Sequence, residues 1–179
     1  MREITLTDPV YLIDEVLSPE HRSKVEGFKC SSEKEVEVFL KKDAWELQHY
    51  NMAVTRLFFN KDKELVGYFT LYNDAVPKMN KDKMKKENWD LPNTEKYFPA
   101  IRLHYFGVDE RYVGQGIGYA MLMAAIDICS SISEYTGCTF ISVQALNSAV
   151  GFYEHYDFKS VGREKNYRNM VFKLQEAEE

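Results

Sequence analysis

Three alternating glycines stand between a predicted strand and a predicted helix, which is typical of a phosphate-binding loop. The segment covers residues 108–119 and reads Val-Asp-Glu-Arg-Tyr-Val-Gly-Gln-Gly-Ile-Gly-Tyr. Gly114, Gly116 and Gly118 can adopt positive φ and keep side chains away from the start of the helix. Backbone N–H groups at a helix N-terminus face outward and favour an anion. The sequence alone therefore predicts a phosphorylated ligand here.

Two common phosphate loops do not fit this segment. A P-loop requires GxxxxGK[ST], and the chain contains no Gly-Lys-[Ser/Thr]. A Rossmann loop requires GxGxxG/A, but Tyr119 or Met121 stands at the third position, depending on the register. A Rossmann loop also follows the first strand, whereas this loop lies late in the chain. A tight turn without a ligand is the alternative, although three alternating glycines fit it poorly.

The elements that must position this loop follow from apolar periodicity. The pattern predicts a strand over 100–108 before the loop and a helix over 116–134 after it. Further helices are predicted over 33–49 and 147–155, and further strands over 1–6, 53–59, 65–72, 139–145, 158–161 and 167–174. This order predicts an α/β (α+β) fold with a mixed sheet.

Residues 76–99 break the pattern of regular elements. The segment contains three of the five prolines and six lysines, and its net charge is +2. Loops of this length are frequently functional or mobile, so an insertion or lid is one interpretation and a solvated charged loop is the other. We found no linker or repeat, and the 179 residues are therefore expected to form a single domain, residues 1–179.

Composition excludes several classes of protein. The formal net charge of −5 disfavours a general nucleic-acid binder. The three cysteines are odd in number and lack CxxC spacing, and the four histidines form no HExxH cluster, so we expect neither a disulfide framework nor a metal site. No apolar run reaches the ~18 residues of a membrane helix, and no signal peptide is visible. The chain is therefore expected to be cytoplasmic, without a membrane partner.

Two segments together resemble the GNAT superfamily of N-acetyltransferases. Residues 108–119 are similar to its acetyl-CoA loop, [QR]-x-x-G-x-[GA] after a strand. Residues 147–158, Asn-Ser-Ala-Val-Gly-Phe-Tyr-Glu-His-Tyr-Asp-Phe, are similar to N-x-x-A-x-x-F-Y-x-x-x-G-F. Two positions depart from the patterns: Val113 stands where the family has Gln or Arg, and Asp157 replaces a glycine. Arg111 begins an alternative R-x-x-G-x-G and could partly substitute for the polar side chain missing at Val113.

The resemblance implies a GNAT-like sheet, mostly antiparallel and flanked by helices, in which two parallel strands splay apart to admit CoA. Acetyl-CoA would be the co-substrate, with its pantetheine on the strand 100–108 and its pyrophosphate on the glycine loop. The implied CoA-binding residues are Phe106, Gly107, Val108, Val113, Gly114, Gln115, Gly116, Ile117, Gly118, Tyr119 and Asn147.

Acetyl transfer to an amine needs few catalytic groups. By the resemblance, Tyr153 is the general acid that protonates the departing thiolate, since phenols and thiols have similar pKa values of ~8–10. Its alternative role is packing within a Phe-Tyr pair. His104 is a candidate base, because its ordinary pKa of ~6.5 suits that role. Strand alternation places Arg102, His104 and Phe106 on one face, unless a bulge shifts the parity. A water chain is the alternative proton acceptor.

The N-terminal third carries a weaker resemblance to a subgroup. Phe28-Lys29-Cys30, then Phe39-Leu40 and Ala44, are similar to the F-x-C-G…F-L-x-x-x-A pattern of GNAT toxins that acetylate aminoacyl-tRNA, with Ser31 in place of glycine. The basic groups available for tRNA are the lysines of 78–86 and Arg163, Lys165 and Arg168.

Three functions therefore stay open. The main prediction is an acetyl-CoA-dependent N-acetyltransferase that acts on a primary amine by direct transfer in a ternary complex. The alternatives are a toxin that acetylates aminoacyl-tRNA, with an antitoxin as partner, and a non-catalytic CoA-binding module. A homodimer is a further expectation.

Overall fold

Within residues 10–92 and 94–174, the part of the chain that the computed structural model describes, seven strands form one mixed sheet. They are β1 (Ile13–Val16), β2 (Val54–Phe59), β3 (Leu65–Pro77), β4 (Tyr97–Val108), β5 (Phe140–Leu146), β6 (Lys159–Glu164) and β7 (Tyr167–Lys173), in the spatial order β1-β2-β3-β4-β5-β7-β6. β4 runs parallel to β5, with Ala100 opposite Phe140 and Arg102 opposite Ser142. β5 and β6 each pair antiparallel with β7. The predicted fold class is confirmed.

Helices connect these strands. They are α1 (Arg22–Gly27), α2 (Lys34–Lys41), α3 (Asp43–His49), α4 (Lys81–Lys86), α5 (Ile117–Ser133) and α6 (Val150–His155). The sequence predicted one helix over 33–49, but Lys42 (φ −120°, ψ −69°) divides it into two because these dihedrals lie outside the helical range. The sequence analysis also missed β1, α1 and α4. The predicted strand at 1–6 lies outside the described residues. No helix among the described residues is long and apolar enough to cross a membrane.

The chain divides into two compact units, and the single-domain prediction stays a prediction. Unit 1 comprises residues 1–70 and 105–124. Its core is aromatic: the rings of Phe39 and Tyr105 stack with centroids 4.2 Å apart, and Phe28 meets Tyr68 edge-on at 5.4 Å. The buried Tyr68 hydroxyl donates to the Val36 carbonyl at 2.5 Å, so this polar group is satisfied inside the core.

Unit 2 comprises residues 71–104 and 125–179. One of its clusters buries Val76, Met79, Met84, Phe98, Ala100, Phe140 and Val171. Four of these residues belong to the lysine-rich segment 76–99, and Trp89 of that segment packs on Phe140 at 5.1 Å. Asn80 caps α4 by accepting from the Lys83 N–H at 2.8 Å. Four buried apolar side chains and the helix α4 therefore pack the segment into unit 2, and its role as a lid stays a prediction.

Candidate active site

The glycine loop adopts the geometry that its sequence requires. Gly114 and Gly116 have φ of +82° and +78°, in the left-handed region that favours glycine. A Cβ on Gly114 would meet nothing within 4 Å, so conformation, and not space, requires glycine there. Ile117 begins α5, a helix of 17 residues, and Gly118 and Tyr119 lie in its first turn. The first N–H groups of a helix lack partners within it, so this end favours an anion.

A buried carboxylate anchors the residues that lead into the loop. Asp109 is fully buried and accepts from the Lys29 N–H at 3.0 Å and the Arg111 N–H at 3.0 Å. The Arg111 side chain donates to the same carboxylate from Nε at 2.8 Å and from a terminal nitrogen at 3.2 Å. Burial raises the pKa of Asp109, but these hydrogen bonds outweigh it and leave the pKa below its ordinary value. Asp109 therefore stays ionised and holds the start of the loop.

Two surface contacts reinforce this anchor within unit 1. The Ser31 hydroxyl donates to the Glu110 carboxylate. The Tyr112 hydroxyl donates to Glu64, on the turn before β3. The hydrogen bond from Tyr112 lowers the pKa of Glu64, so the acceptor is charged at neutral pH. The three residues that precede Val113 are thus each tied to another part of the unit.

The two departures from the family pattern have different structural meanings. Val113 is 67% exposed, and its side chain offers no polar atom to a phosphate. Arg111, the expected substitute, already binds Asp109, and the Gln115 side chain donates to the Arg111 carbonyl at 3.3 Å. Asp157 has φ of +68°, which explains why glycine is usual there. The phosphate site predicted at this loop would therefore depend mainly on backbone N–H groups.

The end of β4 contains an unusual backbone conformation. Tyr105 has φ of +41°, a conformation that a non-glycine residue rarely adopts in a strand. Tyr105 stacks on Phe39, whereas Phe106 stacks on Phe69 with centroids 6.3 Å apart. The positive φ at Tyr105 is a backbone irregularity of the kind found near active sites, and the face that His104 and Phe106 were predicted to share stays a prediction.

Gly107, predicted to contact pantetheine, has a packing requirement of its own. A Cβ at this position would overlap the Val36 Cγ1 on α2 and would approach Phe28 at 3.6 Å. The backbone of β4 consequently runs close against α2. Val108, the last residue of β4, is half-buried, and the Asp109 N–H donates to the Val66 carbonyl at 2.8 Å. The strand end expected to contact CoA is therefore fixed on two sides within unit 1.

His104, the candidate base, is half-buried on the part of β4 that belongs to unit 2. Its ring meets Tyr72 edge-on at 5.2 Å. Burial, with a smaller contribution from the charge of Arg102, lowers the pKa of His104 to about 4. The imidazole is therefore neutral at pH 7 but is a weak base. Nearby, Asp74 accepts from Arg102 Nε at 2.9 Å and from the Ser142 hydroxyl at 2.5 Å.

Tyr153, the candidate general acid, lies on α6 and is 5% exposed. Its ring packs edge-on against Phe152 at 5.3 Å and Phe158 at 5.2 Å. Burial raises the pKa of its phenol, so the hydroxyl keeps its proton at physiological pH. Asn147 is exposed in the turn directly after β5. The structure thus gives Tyr153 the packing role that the sequence left open, and its role as the acid stays a prediction.

A match to a family model decides the class of this fold. Residues 28–173 match the model described as an acetyltransferase (GNAT) domain. The chain belongs to the GNAT acetyltransferase family. The predicted family and the predicted class of enzyme, an N-acetyltransferase, are confirmed.

Relatives of this GNAT chain include toxins. A tRNA-acetylating toxin of Mycobacterium tuberculosis is 29% identical over 131 residues, which are 72% of this chain and 75% of the toxin. AtaT complexed with acetyl-methionyl-tRNAfMet aligns with a TM-score of 0.75 and 22% identity, over 91% of this chain and 95% of AtaT. A Tyr-to-Phe mutant of AtaT, bound to the C-terminus of the antitoxin AtaR and acetyl-CoA, aligns with a TM-score of 0.72 and 20% identity, over 91% and 93%.

The residues of the weaker, toxin-type pattern have a structural role in this GNAT chain. Phe28, Cys30, Phe39, Leu40 and Ala44 are all buried in the core cluster of unit 1, and none is more than 7% exposed. The pattern therefore specifies how α1, α2 and α3 pack. It places no chemistry at a site.

Sequence reasoning did not identify Asp109, Asp74 or Gln144 as residues of interest. Asp109 follows a strand directly, and a carboxylate before a helical turn was its only signal in the sequence. Asp74 and Gln144 had no signal in the sequence, because their surroundings are formed by residues on neighbouring strands.

Proposed function

We propose that this GNAT enzyme transfers the acetyl group of acetyl-CoA to the α-amino group of an aminoacyl-tRNA. The glycine loop at the start of α5 supports the use of acetyl-CoA, because it offers N–H groups and a helix dipole to a pyrophosphate. The observation that carries the acceptor is the tRNA-acetylating toxin, which is 29% identical over 72% of this chain.

In this proposal, CoA is held mainly by backbone. The pyrophosphate binds the N–H groups of residues 113–119, and pantetheine pairs with the strand end at Phe106, Gly107 and Val108. Asn147 adds a side-chain contact to CoA. Val113 provides no charge-assisted hydrogen bond, so the loop geometry fixed by Asp109 carries more of the binding than it would with arginine at that position.

The chemistry is one acyl transfer. The neutral amine nitrogen attacks the thioester carbonyl carbon, a C–N bond forms, and the C–S bond breaks as the electron pair returns to sulfur. A backbone N–H near Val108 polarises the carbonyl oxygen. Tyr153 donates its proton to the departing thiolate and regains a proton from water, to which the amine releases its own. The amine gives its proton to water, because His104, with a pKa of about 4, binds a proton weakly.

A basic hairpin supports a polyanionic acceptor. In the β6–β7 pair Arg163 lies directly opposite Arg168, and like charges in this position repel. The Arg168 Nε is buried without a hydrogen-bond partner within the described structure. A phosphate would relieve the repulsion, so these arginines provide a local basic surface despite the acidic total charge.

An antitoxin is the protein partner that follows from this proposal. The AtaT structure with the C-terminus of AtaR shows such a partner for a protein of the same fold. We also propose that two copies of this chain associate with each other. Sedimentation of the purified protein tests this homodimer separately from the antitoxin.

Acetylation of charged tRNA tests the proposal. Purified enzyme, radiolabelled acetyl-CoA and aminoacyl-tRNA should yield N-acetyl-aminoacyl-tRNA, whereas uncharged tRNA should yield none. A hundredfold excess of acetyl-CoA over its Kd should add about 2.7 kcal/mol to the free energy of unfolding, or roughly 5–10 °C in Tm.

The possible failures separate the candidate functions. Thiol release with small amines but not with aminoacyl-tRNA would retain the acetyltransferase and refute the acceptor. Binding of acetyl-CoA without thiol release for any amine would favour the CoA-binding module. No thermal shift and no heat of binding would refute the use of acetyl-CoA itself.

A further inference from the structure

A cavity of about 370 Å³ lies entirely within unit 2, on the face of β4, β5 and β7 that carries Arg102. Register explains which side chains share it. Arg102 lies opposite Ser142, Ser142 opposite Val171, and Gln144 opposite Asn169, so all of these side chains project to one face. The residues used above for CoA binding and acid catalysis do not line it.

The cavity is balanced in charge. Its cationic lining residues are Arg102 and Lys78. Arg102 is neutralised by Asp74, whose carboxylate lies 2.8 Å from the guanidinium, and Glu164 is an anionic lining residue. Such a lining has no excess positive charge for a phosphate or a carboxylate. It suits a neutral, polar group.

The walls of the cavity are apolar, whereas one end of it is polar. The apolar walls include Val76, Met79 and Val171, which are each at most 7% exposed. The polar end is an amide pair: Gln144 and Asn169 are directly opposite in the β5–β7 register, and Asn169 Nδ2 donates to Glu164 at 3.1 Å. Apolar walls around a few placed polar groups are the usual composition of a small-molecule site.

An amide side chain matches one nucleobase edge in particular. Asn and Gln bind adenine with two hydrogen bonds, donating to N7 and accepting from the N6 amino group. Methionine sulfur and aliphatic carbons contact the faces of a flat ring favourably. The aminoacyl group of a charged tRNA is esterified to a 3′-terminal adenosine, so the proposed acceptor presents such a base next to its reactive amine.

We propose that this cavity binds the terminal adenosine of the acceptor, with Gln144 reading the N6 and N7 edge of adenine. Asn169 orients Gln144 from the neighbouring strand, and the walls of Val76 and Met79 cover the ring. The proposal rests on the proposed function for the identity of the acceptor, but the binding of adenosine itself does not require acetyl transfer.

Adenosine binding to the CoA-saturated protein tests this inference. CoA contains an adenine of its own, so excess CoA is added first to occupy the CoA site. Adenosine, cytidine and 7-deazaadenosine are then titrated separately and followed by NMR chemical shifts. We expect adenosine to bind at least tenfold more tightly than the other two nucleosides, since a bidentate base contact discriminates by about that factor or more.

Variants locate the site. Gln144→Ala should weaken adenosine binding about tenfold and raise the KM for aminoacyl-tRNA by a similar factor, with kcat unchanged. Asn73→Ala is the matched control, because Asn73 is an exposed amide on β3 that does not line the cavity. Gln144 is itself exposed, so its replacement should leave the thermal melt unchanged. Asn169→Ala is a second variant with the same expected direction.

The two proposals fail in different ways. If aminoacyl-tRNA is not acetylated but adenosine binds in a Gln144-dependent manner, the site is supported and the acceptor is another adenosine-bearing amine. If aminoacyl-tRNA is acetylated while Gln144→Ala changes neither adenosine binding nor KM, the proposed function is supported and this inference is overturned. Equal binding of the three nucleosides also overturns it.

Discussion

Replacing Asp109 with alanine tests whether one buried carboxylate holds the glycine loop in its CoA-binding conformation. Asp109 is fully buried, lies just before the loop, and accepts hydrogen bonds from the Lys29 and Arg111 backbone N–H groups and from the Arg111 side chain. Alanine removes all of these acceptors at once. The loop would keep its sequence and both of its positive-φ glycines but would lose its attachment to residue 29.

The loss of stability in Asp109→Ala depends on which of the former hydrogen-bond donors to Asp109 can bind water instead. A buried N–H without a partner costs about 1–3 kcal/mol. The Arg111 side chain is 50% exposed, so its guanidinium returns to water and adds little. Relief of the Asp109 desolvation penalty offsets part of the loss. We expect Asp109→Ala to lose about 2 kcal/mol of unfolding free energy, which is roughly 4–8 °C in Tm for a chain of this size.

The effect on binding is separate from the effect on stability. Ordering one loop residue costs about 1–2 kcal/mol of backbone entropy, so a loop freed at one residue should bind acetyl-CoA roughly tenfold more weakly. Calorimetric titration of acetyl-CoA at a temperature well below the melt of the variant measures this. Glu26→Ala is the control: this carboxylate on α1 also lies in unit 1, is exposed and lies outside the loop, so its loss should change stability by less than about 0.5 kcal/mol.

Acid provides a second check on Asp109. Its pKa in the folded protein lies below the ordinary value of 3.8, so its stabilising contribution is present above that pH and is lost as the pH falls further. The difference in stability between the wild type and Asp109→Ala should therefore narrow in strong acid. An Asp109→Ala protein with unchanged melting and unchanged acetyl-CoA affinity would refute the anchoring role.

Three further predictions concern other parts of the site. Tyr153→Phe should reduce kcat about 10²–10⁴-fold while the Kd for acetyl-CoA stays the same. A thiol-release assay measures kcat, and a variant with the same kcat as the wild type would exclude Tyr153 as the acid. Gly107→Ala should cost about 1–3 kcal/mol in denaturant unfolding, because the new Cβ overlaps Val36, and adding Val36→Ala should recover part of it. The pKa of His104 is about 4 against an ordinary 6.5, so the unfolded chain takes up its proton first and stability should fall as the pH drops from 6.5 to 4, by at most about 3 kcal/mol. His104→Gln should flatten the dependence of unfolding free energy on pH, measured by urea titration, and should retain acetyl transfer. An unchanged pH dependence would contradict the lowered pKa of His104, and a large loss of kcat would contradict its lack of a role as the base.

Local regularities in the sequence predicted much of the fold. β2, β4, β5 and α5 were placed within a few residues of their observed bounds, because each has a strong apolar period and a clear punctuating residue. The break at Lys42 and the short helix α4 were missed. Lys42 has no helix-breaking chemistry of its own, and α4 is a lysine-rich stretch whose buried Met84 supplies the packing that stabilises it.

Part of the candidate site was also predicted from the sequence, and part depended on the folded structure. The glycine loop, Tyr153 and Asn147 were predicted because family patterns are linear in the sequence, and the positive φ of Gly114 and Gly116 agrees with that prediction. The expected contribution of Arg111 to phosphate binding stays a prediction. Whether a guanidinium is available depends on its neighbours, and Asp109 engages it in the folded chain.

The alternating glycines by themselves predicted a turn suited to an anion, since the conformation they permit is a property of single residues and their order, and the acetyltransferase class came from two sequence segments together. Tertiary structure decided the rest: the positive φ at Tyr105, the lowered pKa of His104, and the row of Arg102, Ser142 and Gln144 that lines one cavity. These depend on which strands become neighbours and in which register. A shift of one residue would have turned each side chain to the other face of the sheet.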